Sequence, residues 1–376
     1  MKKFLKFITE ESKPKIETTG HLPHAGDLLY YGDPNHAIEH HEQMFERLHS
    51  NTENPNHEAA IKVDGGMSIV QGRDEDGRPF VSYKSGKQKF YTPDDIKATG
   101  KKHYEKTLIP ALLAITKMNI KHGTAFQSDV LWDKHPGKKS YTPNTIKYAT
   151  GSDSSFGTAP HSQYEIEDGN MIKVSNAPDH TQLKSDHVYA PKLSMAGTKF
   201  NPMADEIATK VQQHLGTARA FLDDDSVREF ASTLPDNKKF HNALQTYSNH
   251  IARTSGERSS DDFKEFVGKH VARRKVSAGL KERELADHME TIENNIGAID
   301  SLFGAHNEMT TAKHHMMDHL ADHHDQFDIA PHRDEEHEGI VANDTNSGTT
   351  AKFVREGPGG FAERNAARTA ILRQKS

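Results

Sequence analysis

Cysteine is absent from the 376-residue chain, which excludes a disulfide framework and any metal held by thiolates. Apolar residues are scarce too. The chain is 34 % hydrophobic and 27 % charged, with a mean hydropathy of -0.82. No run approaches the roughly 18 apolar residues that a membrane helix needs. The opening MKKFLKFITEESK starts basic, but Lys6 interrupts its apolar run too early for a secretory signal. Residues 1–25, broken by Pro14, Gly20 and Pro23, are expected to be a flexible leader on a soluble, cytoplasmic protein. The net charge of -6 argues against a uniformly basic coat, although 48 Lys and Arg leave room for a local basic groove.

A length of 376 residues predicts two to three domain-sized units. Asp33-Pro34-Asn35 is a helix-start signal, and apolar residues at 38, 44, 45 and 48 predict a helix packed beneath a first sheet. The densest strand signal follows at residues 60–70. Asp76-Gly77 then turns the chain into a hairpin partner at 79–84. A helix over 102–117 and strands over 124–132, 140–148 and 156–166 complete an α+β pattern.

From about residue 201 the strand signal stops. Apolar residues recur at helical spacing instead, as in Ile207/Val211/Leu215 and Val227/Phe230/Leu234, with charged residues between them. The expected division is a core over 26–200, a helical insertion over 201–326, and a return to the core over 327–376. That last segment carries short strands at 339–342 and 350–354 and a basic helix at 361–374.

Two local patterns invite chemistry. The stretch AAIKVDGGMSIVQG places Lys62 at the end of a strand, with Asp64, Gly65 and Gly66 directly after it. Taken alone it reads equally as a charged turn. The chain also has 26 histidines, and His315, His319 and His323 recur at i, i+4, i+8 on one predicted helix face. Imidazoles at i, i+4 can chelate zinc or nickel, but residues 315–319 read HMMDH without the HExxH glutamate, so a solvated polar face is the simpler reading.

The order of motifs resembles the covalent nucleotidyltransferase superfamily, which comprises ATP-dependent DNA and RNA ligases and messenger-RNA capping enzymes. Lys62-Val63-Asp64-Gly65 is similar to the family's KxDG. Tyr83-Lys84-Ser85-Gly86 looks like the Lys-Gly strand end of RNA ligases. Phe126–Leu131 resembles the next motif, with Asp129 in place of the usual glutamate. Pro143-Asn144-Thr145-Ile146 is similar to a PxNxI segment of some RNA ligases. Glu338-Gly339-Ile340-Val341 and Ala351-Lys352-Phe353-Val354 resemble the fourth and fifth motifs. The sequence departs from the fifth motif in having one lysine where two stand two apart. HLPHAGD at 21–27 is similar to a segment upstream of the lysine in a phage-encoded, RNA-ligase-like branch.

The resemblance implies an antiparallel-sheet, ATP-grasp-like ligase core interrupted by the helical insertion. It implies that Lys62 attacks ATP and carries AMP to RNA or DNA ends or nicks. Asp64, Gly65, Lys84, Asp129, Phe156 and Lys352 would bind the nucleotide, with Phe156 stacking on the base, and Glu338 would hold Mg²⁺. A lysine of ordinary pKa is neutral in only about one molecule in 2,500 at pH 7, a cost of roughly 4.6 kcal/mol. The chemistry therefore needs cations and a metal nearby. Residues 269–281 (KHVARRKVSAGLK) would track phosphates or form an exposed helix face. The rival expectations are a phage structural protein that keeps the fold without catalysis, and a capping-type enzyme.

Overall fold

The computed structural model describes residues 22–134, 140–149, 152–176, 178–254, 256–332 and 335–357. The basic helix expected at 361–374 and most of the expected leader lie outside them. In chain order the elements begin with helix α1 (Asn35–His49) and strands β1 (His57–Lys62), β2 (Ser68–Arg73), β3 (Pro79–Tyr83) and β4 (Lys89–Phe90). Helices α2 (Pro93–Ala98) and α3 (Lys102–Ile115) follow. Next come β5 (Thr124–Trp132), β6 (Ser140–Tyr141), β7 (Tyr148–Ala149), β8 (Phe156–Glu167), β9 (Asn170–Ser175) and β10 (Val188–Tyr189). The helical run holds α4 (Asp205–Leu222), α5 (Asp225–Thr233), α6 (Lys238–Thr254), α7 (Ser260–Arg273), α8 (Ala278–Asn294) and α9 (Ile296–Ala321). Strands β11 (Gly339–Asp344) and β12 (Thr349–Phe353) come last. The fold is mixed α+β with antiparallel sheets, and among the described residues no helix is long and apolar enough to cross a membrane.

The chain forms two compact units. One is made of Glu58–Lys199 and Ala321–Asn343, the other of Met1–His57, Phe200–Leu320 and Asp344–Ser376. In the first of these, a seven-stranded sheet runs β10-β8-β5-β2-β3-β4, with β9 also on β8. Its pairings are antiparallel except β10 on β8. Successive side chains leave a strand on opposite faces, and the two apolar clusters follow that rule. Ile69, Val81 and Phe126 lie in one, with Leu108, Leu112 and Ile115 of α3. Their neighbours Val70, Phe80 and Ala125 lie in the other. Helix α2 starts where the sequence dictates: Thr92 and Asp95 cap each other's backbone N–H groups, and Pro93 needs no donor.

The single strand expected over 140–148 is instead two two-residue strands with a loop between. The cause is Asp64, which takes the loop's hydrogen bonds, as described below. Strand β9 carries polar residues and exposed Ile172 and Val174, and sequence periodicity does not mark it.

The second unit is mainly helical. Helix α1 belongs here: Arg219 Nη2 of α4 donates to both Glu42 oxygens at 2.7 and 2.8 Å. The helix lies against strands as the sequence predicts, its His40 and His41 rings 5.1 and 4.9 Å from those of His57 in β1 and Phe353 in β12. Residues 24–30, placed partly in the expected leader, are buried, with His24 at 1 % exposure. β12 also falls in this unit, and it completes a three-stranded sheet of order β1-β11-β12.

Burial in this unit pushes His40 and His41 down to about 3 and His57 to about 4. Unfolded, each binds a proton near pH 6.5. Between those values the unfolded chain holds more protons, so stability is complete above about pH 6.5 and is lost as pH falls towards 4. The slope is about 1.4 kcal/mol per pH unit for each independent histidine. His40 and His57 share a hydrogen bond of 3.3 Å and titrate as a pair. Urea midpoints at pH 7.5 and 5.0 test this, and equal midpoints would refute it.

Candidate functional site

β1 ends at Lys62, whose ammonium donates to Glu338 Oε2, 276 residues away in sequence and one residue before β11. β1 is flanked on one side by β11 and on the other by residues 193–195, through Ile61 N to Leu193 O and Met195 N to Ala59 O, both 2.8 Å. The strand is thereby held along both edges while its last side chain stays 26 % exposed and Glu338 12 %. Gly339 has φ +146°, a backbone that L side chains rarely adopt, so glycine after Glu338 sets the carboxylate at the start of the strand.

Beyond Lys62 the chain turns, and Asp64 becomes a staple. Its Oδ1 accepts from Asn144 Nδ2 at 2.6 Å. Its Oδ2 accepts from Thr145 N at 2.7 Å, Thr145 Oγ1 at 2.5 Å and Ile146 N at 2.9 Å. Its own N–H donates to Tyr148 Oη at 2.7 Å. Asp64 is thus committed to shaping the Pro143–Ile146 loop, which is why that segment leaves the strand conformation. The carboxylate takes four hydrogen bonds from this loop, two from backbone N–H groups and two from side chains.

Gly65 and Gly66 bring the turn against β5. Gly66 N donates to Val130 O at 2.9 Å. A Cβ on Gly65 would lie 2.2 Å from Asp129 Cβ and 3.0 Å from Cγ. Gly65→Ala is therefore expected to destabilise by about 1–3 kcal/mol through overpacking. Gly279→Ala, in α8 with nothing within 4 Å, is expected to be neutral or stabilising by up to about 1 kcal/mol. Denaturant titration of the two side by side checks the contrast.

Asp129 occupies the sheet end nearest this turn. It pairs with Ser68, whose neighbour Ile69 pairs with Tyr83. Lys84, exposed, follows Tyr83 directly, so Lys84 and Asp129 flank β2 at the same end of the sheet. Burial pushes the Asp129 carboxyl up. The hydrogen bond and charge of His161, then the charge of Lys62, outweigh that and bring it below the usual carboxylate range. His161 Nε2 stands 3.4 Å from Asp129 Oδ1, and the two side chains are 34 % and 25 % exposed.

His161 has no counterpart among the residues expected from sequence. The signal for it was Pro160, a residue that central strands do not tolerate except at a bulge.

Two further expected residues are buried. Phe156 is 2 % exposed within the apolar cluster beneath α3, so its ring packs the core and is not presented to a base. Lys352 belongs to the helical unit, buried with its N–H on Pro23 O at 2.9 Å and its charge beside His24.

Among the described residues no three metal-ligating side chains converge, and His323 falls beyond the end of α9, outside the stripe formed by His315 and His319. The basic segment at 269–281 is partly neutralised locally. Lys269 pairs with Glu265, Arg274 with Glu284, and Lys281 Nζ donates to Ala272 O at 2.6 Å.

The site therefore consists of a strand-end lysine paired with a glutamate, beside a carboxylate–imidazole pair, in one α+β unit. A family profile matches residues 19–367, and the chain belongs to that family, a family of unknown function designated DUF6267. No curated protein and no solved structure matches it.

Proposed function

We propose that the chain is an ATP-dependent nucleotidyltransferase of the polynucleotide-ligase type, acting through a lysyl-AMP on Lys62. The observation that carries this reading is the pairing of Lys62 with Glu338 across 276 residues, within one unit that also holds Asp129 and Lys84. The neutral amine of Lys62 attacks the α-phosphorus of ATP. A nitrogen–phosphorus bond forms, the bond to the bridging oxygen breaks, and pyrophosphate leaves with the electron pair. Glu338, hydrogen-bonded to the amine, is placed to take a proton from it. Lys84 supplies positive charge for the phosphates. The AMP then passes to a 5′-phosphate of RNA or DNA, whose 3′-hydroxyl partner displaces it.

The donor chemistry suits Mg²⁺, which takes oxygen ligands from one or two carboxylates together with substrate phosphate. Glu338 would hold it, and it would supply charge neutralisation at the phosphates. A second reading, a binding protein that keeps the fold without catalysis, draws on Lys352, whose ammonium is buried beside His24 in the helical unit.

Incubation with α-³²P-labelled ATP or GTP and Mg²⁺, followed by denaturation, separates the two. Acid-labile label from ATP is expected. Label from GTP alone would indicate capping-type chemistry, and no label from either would leave the binding protein.

A further inference from the structure

In the pairing of β8 with β5, Gln127 faces Ser162 while Ser128 faces Pro160, so His161 is the extra residue of a β-bulge. A bulge leaves one residue out of the ladder and re-aims its side chain. Here the imidazole is aimed at Asp129. A regular strand would turn residue 161 by strict alternation, and Pro160, with no N–H to donate, fits the interrupted ladder.

We propose that His161 is a positioning residue, which fixes the Asp129 carboxylate so that it meets the nucleotide in one orientation. This rests on the nucleotidyltransferase reading of the same site.

Four residues define how Asp129 is held. His161 Nε2 stands 3.4 Å from Oδ1. Oδ2 lies on the side of Gly65, 3.0 Å from where a Cβ would be, so only a glycine leaves it open. Ser68 is the cross-strand partner, and the positive charge of Lys62 helps to hold the carboxyl below its usual range. With Oδ1 engaged by His161, Oδ2 remains as the acceptor for a hydroxyl or metal-bound water of the ligand. A carboxylate on a free rotor would spread that acceptor over many directions, and alignment is where a hydrogen bond to a charged group gains most of its strength.

The substitutions that separate positioning from mere packing are His161→Phe, which fills the ring's space without a donor, and His161→Gln, which returns an N–H near the Nε2 position. The first-order rate of Lys62 labelling against ATP concentration gives a maximal rate constant and a half-saturating ATP concentration. His161→Phe is expected to lower their ratio about ten- to a hundredfold, the range for a lost hydrogen bond to a charged group, with the melting temperature unchanged. His161→Gln is expected to recover most of that loss. Asp129→Asn combined with His161→Phe is expected to be no worse than Asp129→Asn alone, since one residue acts through the other. Wild-type labelling with His161→Phe unimpaired, His161→Gln as poor as Phe, or additive losses in the double variant would each overturn the role of His161 and leave the lysyl-AMP reading standing. Absence of label in every protein, wild type included, would remove both.

Discussion

Lys62→Ala is expected to form no covalent nucleotide, a fall of at least about 10³-fold, because the variant has no nucleophile to replace. Lys62→Arg should fail equally, since a guanidinium stays protonated at any workable pH and offers no free amine lone pair. Glu338→Gln keeps the shape and removes the charge, so labelling should fall by roughly 10²-fold, as for other removals of one preorganised electrostatic group. None of the three should unfold the protein. The Lys62–Glu338 pair is partly solvated, and such pairs contribute about 1 kcal/mol or less. Melting curves confirm the fold, and gel autoradiography reads the label. Label that survives Lys62→Ala would place the nucleophile elsewhere and end the assignment.

Much of this site was legible because strand signals are local. The IKV and MSIV runs, the Asp76-Gly77 turn and the alternation in 124–132 are set by neighbours two residues apart, and β1, β2, β3 and β5 lie where that period puts them. The motif order placed Lys62, Asp129 and Glu338 together on paper, and the chain brings Lys62 to Glu338. What stayed hidden depends on partners distant in sequence. The segment 140–148 alternates like a strand, yet Asp64 captures its loop. The resemblance offers Phe156 to a base, but a strand phenylalanine more often packs a core, and the cluster beneath α3 claims it. Helix α1 is amphipathic whichever unit receives it, and only its contact with Arg219 decides. His161 depends on a one-residue bulge, which a period-2 pattern cannot announce.

The segment HLPHAGD, prominent in sequence, has a structural use that leads to the largest expected loss of stability. Asp27 Oδ1 accepts from Ser248 Oγ at 2.5 Å and lies 3.2 Å from His306 Nε2. Arg258 Nε donates to Ser248 Oγ at 3.1 Å, and its Nη2 donates to Glu356 Oε2 at 3.1 Å. Lys313 Nζ donates to Glu356 Oε1 at 2.5 Å. All of these residues are buried. Burial pushes the Glu356 carboxyl up, but Lys313 and then Arg258 outweigh it and hold it well below the usual range. Lys313 and Arg258 thus meet Glu356 and Asp27, two cations with two carboxylates, while His24, 3.7 Å from Glu356, has the charge of Lys352 beside it. Glu356→Gln breaks that balance and strands a buried positive charge, so a loss of about 3–5 kcal/mol is expected at pH 7. Adding Lys313→Met restores the balance with Arg258 against Asp27. The double variant should therefore be more stable than Glu356→Gln alone, since removing both partners spares the cost of an unpaired buried charge. Denaturant unfolding of wild type, both single variants and the double variant closes the cycle. A double variant no more stable than Glu356→Gln would show that charge balance is not what holds this network together.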